Sequence, residues 1–216
     1  MQQEDEKKVA AAVAELVGLL SPTNANWNVD VDQALTLGAV AIILLLMRKW
    51  HSDSRSIQLH GCEVLASLIQ FYHDKVANAR FTAVAVSIIK SGGIETIMAA
   101  MKSFPDDDDI QSVGCNAIGN AIYYTDPTID EAMARFVHKL NGIELVVPMM
   151  KKFQNNASVQ DMGCHVLNCL SRKQVLHDAL RKGGAISAVG EATEKHDDNG
   201  LQSHATGFFK NMFGNK

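Results

Sequence analysis

The sequence has no excess of positive charge: across 216 residues, 20 Lys and Arg stand against 24 Asp and Glu, a formal net charge of -4. A chain so balanced has no reserve of cations to neutralise a phosphate backbone, which disfavours nucleic-acid binding. It has no long hydrophobic run either. The most apolar stretch, Leu35 to Met47, stops at Arg48 and Lys49 and falls short of the ~18 residues that a membrane span requires, so it is read as a buried helix. The start of the chain, Gln2-Gln3-Glu4-Asp5-Glu6-Lys7-Lys8, is too acidic and polar for a secretory signal or an Arg-rich transit peptide. Cysteine is scarce. Cys62, Cys115, Cys164 and Cys169 all lie in apolar helical segments, where they read as small buried hydrophobes in a reducing compartment, cytoplasmic or nuclear, and not as disulfide partners.

Catalytic and metal signatures are missing too. There is no Gly-x-Ser-x-Gly elbow, no Walker loop and no Gly-x-Gly-x-x-Gly fingerprint, so the expectation is a non-enzymatic protein without a cofactor. Cys164 and His165 are adjacent, but neighbours on a helix point about 100° apart and do not form the pair that activates a thiolate. The eight histidines fall one to a segment, with no His-x-x-x-His or Cys-x-x-Cys spacing of the kind structural zinc uses. The carboxylates of Asp106 to Asp109 are adjacent and lack the alternation and glycine turn of a calcium loop. They are read as a solvated loop whose last aspartate caps the helix at Ile110.

What is present is repetition. With 47% hydrophobic and 20% charged residues the chain has the composition of a globular unit or a repeat array. One segment recurs: Ile57-Gln-Leu-His-Gly-Cys62, Ile110-Gln-Ser-Val-Gly-Cys115, Val159-Gln-Asp-Met-Gly-Cys164 and, more weakly, Leu201-Gln-Ser-His-Ala-Thr206. The copies start 53, 49 and 42 residues apart, the inserts falling in polar loops around Tyr72 to Asn78 and Tyr124 to Asp130. Upstream of three copies stands a glycine step, Gly92-Gly93-Ile94, Asn141-Gly142-Ile143 and Gly183-Gly184-Ala185, with Gly38 alone before the first. From Gly93, Gly142 and Gly184 to the start of the motif the distance is 17 residues each time. Glycine there supplies the positive φ that separates two helices.

Each unit therefore holds three helical pieces: a short one before the glycine, a second of about three turns, and a longer third that carries the motif. In the second unit they are expected near Asn78 to Lys90, Ile94 to Phe104 and Asp109 to Tyr124, with Pro105 and Pro127 in the connections. Apolar residues at helical spacing, such as Ile94, Ile97, Met98 and Met101, put a stripe on one face that only a stacked neighbour covers.

This three-helix unit, with its glycine step and Gln-x-x-Gly-Cys-x-x-Leu/Ile motif, resembles the armadillo repeat over about Asp30 to Phe213, with Val9 to Leu20 similar to the third helix of a truncated leading repeat. HEAT repeats, the nearest alternative, usually have two helices and no double glycine. The resemblance implies an all-α fold, a right-handed α-α superhelix of about four three-helix repeats. The chain is read as one domain, 1–216, with a partial N-terminal cap at 1–29 and repeats at 30–74, 75–126, 127–172 and 173–216.

In armadillo proteins the third helices line a groove that takes extended peptides or helices, and asparagines hold the partner's backbone. Matching Gly61, Gly114, Gly163 and Ala205 to the family's small residue puts Ser67, Asn120, Cys169 and Asn211 at the asparagine position. The tryptophan position of members that read nuclear-import signals holds Glu63, Asn116, His165 and Gly207, a departure from importin-alpha-like receptors. The implied groove wall is Glu63, Ser67, Asn116, Asn120, Tyr123, His165, Cys169 and Arg172. The implied function is an adaptor or scaffold holding a protein partner. The alternative is a subunit of a larger assembly, docking through its ends at Leu35 to Met47 or at Phe208, Phe209, Met212 and Phe213.

Overall fold

The computed structural model describes residues 2–19, 38–50, 53–75, 79–123 and 126–214. Trp27, residues 35–37 of the apolar run, Asn78, Tyr124 and the 29/30 repeat boundary lie outside the described residues. Among those described there are twelve α-helices and one 3-10 turn, Gln174–Leu176. The helices are α1 (Gln2–Leu19), α2 (Ala39–Lys49), α3 (Arg55–Lys75), α4 (Ala79–Lys90), α5 (Gly93–Ser103) and α6 (Asp108–Ile122), followed by α7 (Pro127–His138), α8 (Gly142–Lys152), α9 (Ala157–Ser171), α10 (His177–Lys182), α11 (Ala185–Lys195) and α12 (Asn199–Phe213).

The helices α2, α5, α8 and α11 are 11 residues each, and each is preceded by a residue in the left-handed region: Gly38 at φ 72°, Gly92 at 73°, Asn141 at 56° and Gly184 at 78°. The lone Gly38 thus supplies the turn, with Ala39 in place of the second glycine. In the middle units the left-handed residue precedes the glycine from which the sequence spacing is constant, and at 141 it is an asparagine, whose short polar side chain tolerates that conformation. Gly93 and Gly142 are glycine for a different reason. A Cβ on Gly93 would lie 2.4 Å from Ile88 Cγ2, and one on Gly142 would lie 2.2 Å from the buried Phe136 ring, so the pair combines a turn with a close approach.

The motif glutamine has a clear physical job. Gln58 Nε2 donates to the carbonyls of Met47 (2.9 Å) and Trp50 (3.0 Å). Gln111 does the same to Met101 (2.7 Å) and Phe104 (2.9 Å), and Gln160 to Met150 (2.8 Å) and Phe153 (3.0 Å). In the weaker fourth copy Gln202 reaches Thr193 (3.3 Å) and His196 (2.9 Å). One side-chain amide thus satisfies two of the carbonyls that a helix C-terminus leaves without partners. Three residues further on, the motif glycine lets the third helix approach the second. Cβ atoms at Gly61, Gly114 and Gly163 would fall 2.6, 2.7 and 2.6 Å from the side chains of Met47, Met101 and Met150. In the fourth unit the methionine position is Thr193 and the glycine position Ala205. Gln111→Met keeps the volume and leaves both carbonyls without a donor. It is expected to cost about 2 kcal/mol, read as a lower urea midpoint at unchanged slope; a midpoint equal to that of the parent chain would remove this role.

The longer helices α3, α6, α9 and α12 stack side by side, each against the next, and α1 packs on α3 at the open end of that row. Their inward residues join those of the other helices in one continuous core. The thiols of Cys62, Cys115, Cys164 and Cys169 are free and buried in it, and burial pushes each up to about 12.

The acidic run is solvent-exposed at Asp106, Asp108 and Asp109, as expected, and is also tied to the neighbouring units. The cap of α6 is Asp107, not Asp109: its Oδ1 accepts from Ile110 N at 3.1 Å, because the helix begins at Asp108. Arg55 from the preceding unit binds Asp107 and, at 2.7 Å, Asp109. From the following unit Lys152 pairs with Asp106, and Asn156 Nδ2 donates to Asp108 at 2.6 Å. Although burial opposes it, the Arg55 guanidinium and the backbone N–H of Ile110 hold the Asp107 carboxyl below its ordinary range. At the C-terminal end Phe208 and Met212 are buried and Phe209 partly so, leaving Phe213 half-exposed, so these aromatics chiefly pack the last helix.

Candidate functional site

The row of stacked helices carries a cleft of about 320 Å³. Ile69 and Gln70 of α3 form one wall, Asn116 and Asn120 of α6 with its C-cap Tyr123 the middle, and Met162 and His165 of α9 with His204 of α12 the far side. Asn116, Asn120 and Tyr123 share a face because residues four and seven apart on a helix lie above one another. The side-by-side stacking then brings together residues more than forty positions apart in sequence.

Hydrogen bonds fix the floor. Asn120 Nδ2 donates to Asn116 Oδ1 at 3.1 Å, which leaves Asn120 Oδ1 to accept from His165 Nε2 at 3.2 Å. With its proton on Nε2, the ring turns the Nδ1 lone pair toward Cys169 Sγ at 3.9 Å, and that thiol donates to the Gly119 carbonyl at 3.6 Å. The His204 ring lies 4.6 Å from that of His165, and its Nδ1 meets Asp161 Oδ1 at 2.9 Å. His165 is only 7% exposed. Burial first, and the neighbouring His204 second, lower its pKa to about 4 against the opposing pull of Asp161. It is therefore a neutral imidazole at physiological pH.

Of the eight residues expected on the groove wall, the structure brings Asn116, Asn120, Tyr123 and His165 into the cleft. Cys169 sits beneath it, in contact with His165. Arg172 stands at the rim, its guanidinium 5.3 Å over the Tyr123 ring and donating to the Tyr123 carbonyl. Glu63 is taken up on its own helix by His60 Nδ1 at 2.8 Å, and Ser67 is half-buried on α3 outside the cleft. Asn211, at the asparagine position of α12, donates to Asn168 Oδ1 at 3.3 Å and Ser171 Oγ at 3.0 Å and so ties two helices together.

Sequence reasoning missed Ile69, Gln70, Met162 and His204. The last two occupy the same place in their copies, two residues after the glutamine, a register the motif itself displays. It also missed Gly119, where a Cβ would fall 2.2 Å from His165 Cδ2. Glycine inside a helix costs ~1 kcal/mol relative to alanine, so its presence there points to a close neighbour. The histidines are not all isolated: His165 and His204 meet, though each ring already has a polar partner within the protein. Asp107, Asp108 and Asp109 cluster closely enough to hold a metal ion, but Arg55 and Asn156 engage all three. No catalytic pair emerges around Cys164 and His165. The thiol that His165 contacts is Cys169, and thiols pushed up to about 12 supply no thiolate nucleophile. Among the described residues no single helix is long and apolar enough to cross a membrane.

No model of a known protein family matches the chain, and no curated protein matches it in sequence. Solved structures do resemble it. A crystal structure of an engineered protein superposes with a TM-score of 0.67 at 17% identity, over 94% of this chain and 79% of its own. A second engineered protein gives 0.66 at 18% identity, over 93% of this chain and 47% of its own, so that this chain spans about half its length. A designed armadillo repeat protein in complex with the peptide (KR)4 aligns over 96% of this chain and 94% of its own at 14% identity, with a lower TM-score of 0.46. The glycine-stepped helix triplets and the stacked row of motif helices define the class: an all-α, armadillo-like helical repeat fold.

Proposed function

We propose that this chain is a non-catalytic adaptor or scaffold that holds an extended segment of a protein partner across α3, α6, α9 and α12, with Asn116 and Asn120 binding the partner's main chain. One observation carries the reading: a cleft crossing all four stacked helices has a hydrogen-bonding amide at its centre and apolar side chains beside it. Asn116 Oδ1 and Asn120 engage one another, whereas the Nδ2 of Asn116 has no partner among the described residues. A peptide without a sheet neighbour offers the carbonyls such a donor needs. Four buried thiols of raised pKa support a protein working in a reducing compartment.

The test is a selection of peptides on the immobilised chain from a displayed library, followed by calorimetry of the selected sequences. Asn116→Ala is expected to weaken them by about tenfold, the ~1.4 kcal/mol of one hydrogen bond in a partly buried site, with the melting temperature within a few degrees of the parent. Equal affinity in the variant would remove Asn116 from the binding surface.

A second reading has its own observation. Ile42 and Leu45 on α2 are 51% and 64% exposed, an apolar pair at i and i+3 that a neighbouring subunit would cover. On that reading selected ligands would bind Asn116→Ala unchanged and lose affinity with Leu45→Glu.

A further inference from the structure

The cleft contains more information than a generic peptide groove, and we infer that it takes an uncharged segment of the partner anchored by one tyrosine side chain. This inference rests on the reading of the cleft as the partner site. Three features point to the occupant. The first is charge: among the described residues no Lys, Arg, Asp or Glu lines the cleft. The charges around it are engaged, Asp161 with His204, Glu63 with His60, and Arg172 with Tyr123. A lysine or glutamate buried in this space would lose hydration with no oppositely charged side chain among the described lining residues.

The second feature is the shape and chemistry of the walls. Tyr123, His165 and His204 present rings, with Tyr123 and His165 centroids 6.2 Å apart and His165 and His204 4.6 Å apart. Ile69 and Met162 add apolar and thioether surface. Rings, a methionine and an aliphatic side chain around about 320 Å³ suit a flat aromatic group, which gains both from area burial and from ring–ring and sulfur–ring contacts. Aromatic anchors of this kind dominate binding energy in protein interfaces.

The third feature selects among aromatics. Asn116 Nδ2 carries two N–H donors that meet no acceptor among the described residues, one for a main-chain carbonyl and one for a side-chain oxygen. A phenol oxygen accepts; a phenylalanine ring offers nothing, and an indole N–H is a donor only. Tyrosine is the aromatic side chain that meets both the ring walls and this amide.

The probes are capped nine-residue peptides of alanine, serine and glycine with a central Tyr, Phe, Trp, Lys or Glu, titrated into the full chain labelled for NMR. The Tyr peptide is expected to shift the resonances of Asn116, Asn120 and His165 saturably, and to bind about five- to tenfold more tightly than the Phe and Trp peptides. Its affinity is expected to change less than twofold between 50 mM and 500 mM salt, since no ion pair forms. Asn116→Ala is expected to bring the Tyr and Phe peptides to equal affinity. Saturable binding of the Lys or Glu peptide at these resonances, or equal Tyr and Phe affinity in the parent chain, would overturn the inference while leaving the cleft as a binding site. Absence of saturable binding by every probe would overturn the tyrosine anchor, and the site itself stands or falls separately on the library-selected ligands.

Discussion

Gly119→Ala is expected to destabilise the protein by about 3 kcal/mol, although alanine is the better helix former by ~1 kcal/mol. The added Cβ would fall 2.2 Å from His165 Cδ2 and 2.6 Å from Nε2, closer than any ordinary contact. His165 is buried between α6 and α9, so relief requires the ring to swing out or the two helices to part. Either movement breaks the Nε2 bond to Asn120, adding the cost of a buried amide oxygen and a buried N–H without partners to the cost of overpacking. The same substitution also fills the floor of the cleft. Adding His165→Ala removes the obstacle, and in a double-mutant cycle the pair is expected to be less destabilised than the sum of the two single changes by about 2 kcal/mol. Chemical denaturation of the four proteins measures it; strict additivity would show that glycine and imidazole do not constrain one another.

Acidification provides the second large effect. His165 has a folded pKa of about 4 against about 6.5 for an unperturbed imidazole, so between these values the unfolded chain binds the proton that the folded chain refuses. Stability therefore rises with pH in this window. It is fully present above pH ~6.5 and lost as pH falls toward 4, by about 3 kcal/mol in all. His165→Gln keeps an amide N–H for Asn120 and removes the titration, so the difference in stability between parent and variant should shrink steadily from pH 7 to pH 4. Asp107 acts in a separate and lower window: its carboxyl is held below the ordinary range by Arg55 and the α6 backbone, and its contribution is lost only as pH falls below ~4. Parallel denaturation curves for the parent and His165→Gln over pH 4 to 7 would refute the assignment to His165.

How far the sequence alone reaches can be seen at individual residues. Helix limits in the second unit, expected at 78–90, 94–104 and 109–124, lie within one or two residues of Ala79–Lys90, Gly93–Ser103 and Asp108–Ile122, because glycine, proline and apolar spacing are local signals. The glutamine was visible as a pattern, but its job was not. Its acceptors are carbonyls 6 to 11 residues upstream, and side-chain identity there is irrelevant to them. Asn116, Asn120, Tyr123 and His165 were legible because one helix register repeated in three copies places them on one face. His204 was not, since its role arises from the stacking of α12 on α9, which brings it beside a ring 39 residues away. The aspartate run is solvated as its sequence suggests, with Asp106, Asp108 and Asp109 exposed, but its partners Arg55, Lys152 and Asn156 come from the units on either side and were not legible.

The central claim is that partners lie across the cleft of α3, α6, α9 and α12. Site-specific photocrosslinking tests it most directly, with a photoreactive residue placed either at Gln70, exposed on the cleft wall, or at Leu45, exposed on α2. In lysate of the source cells the same protein should crosslink from position 70 and not from position 45, and this crosslink should disappear when Asn116→Ala is added. Crosslinks formed from position 45 alone, or unchanged by Asn116→Ala, would contradict the account and move the binding surface to the outer face of the array.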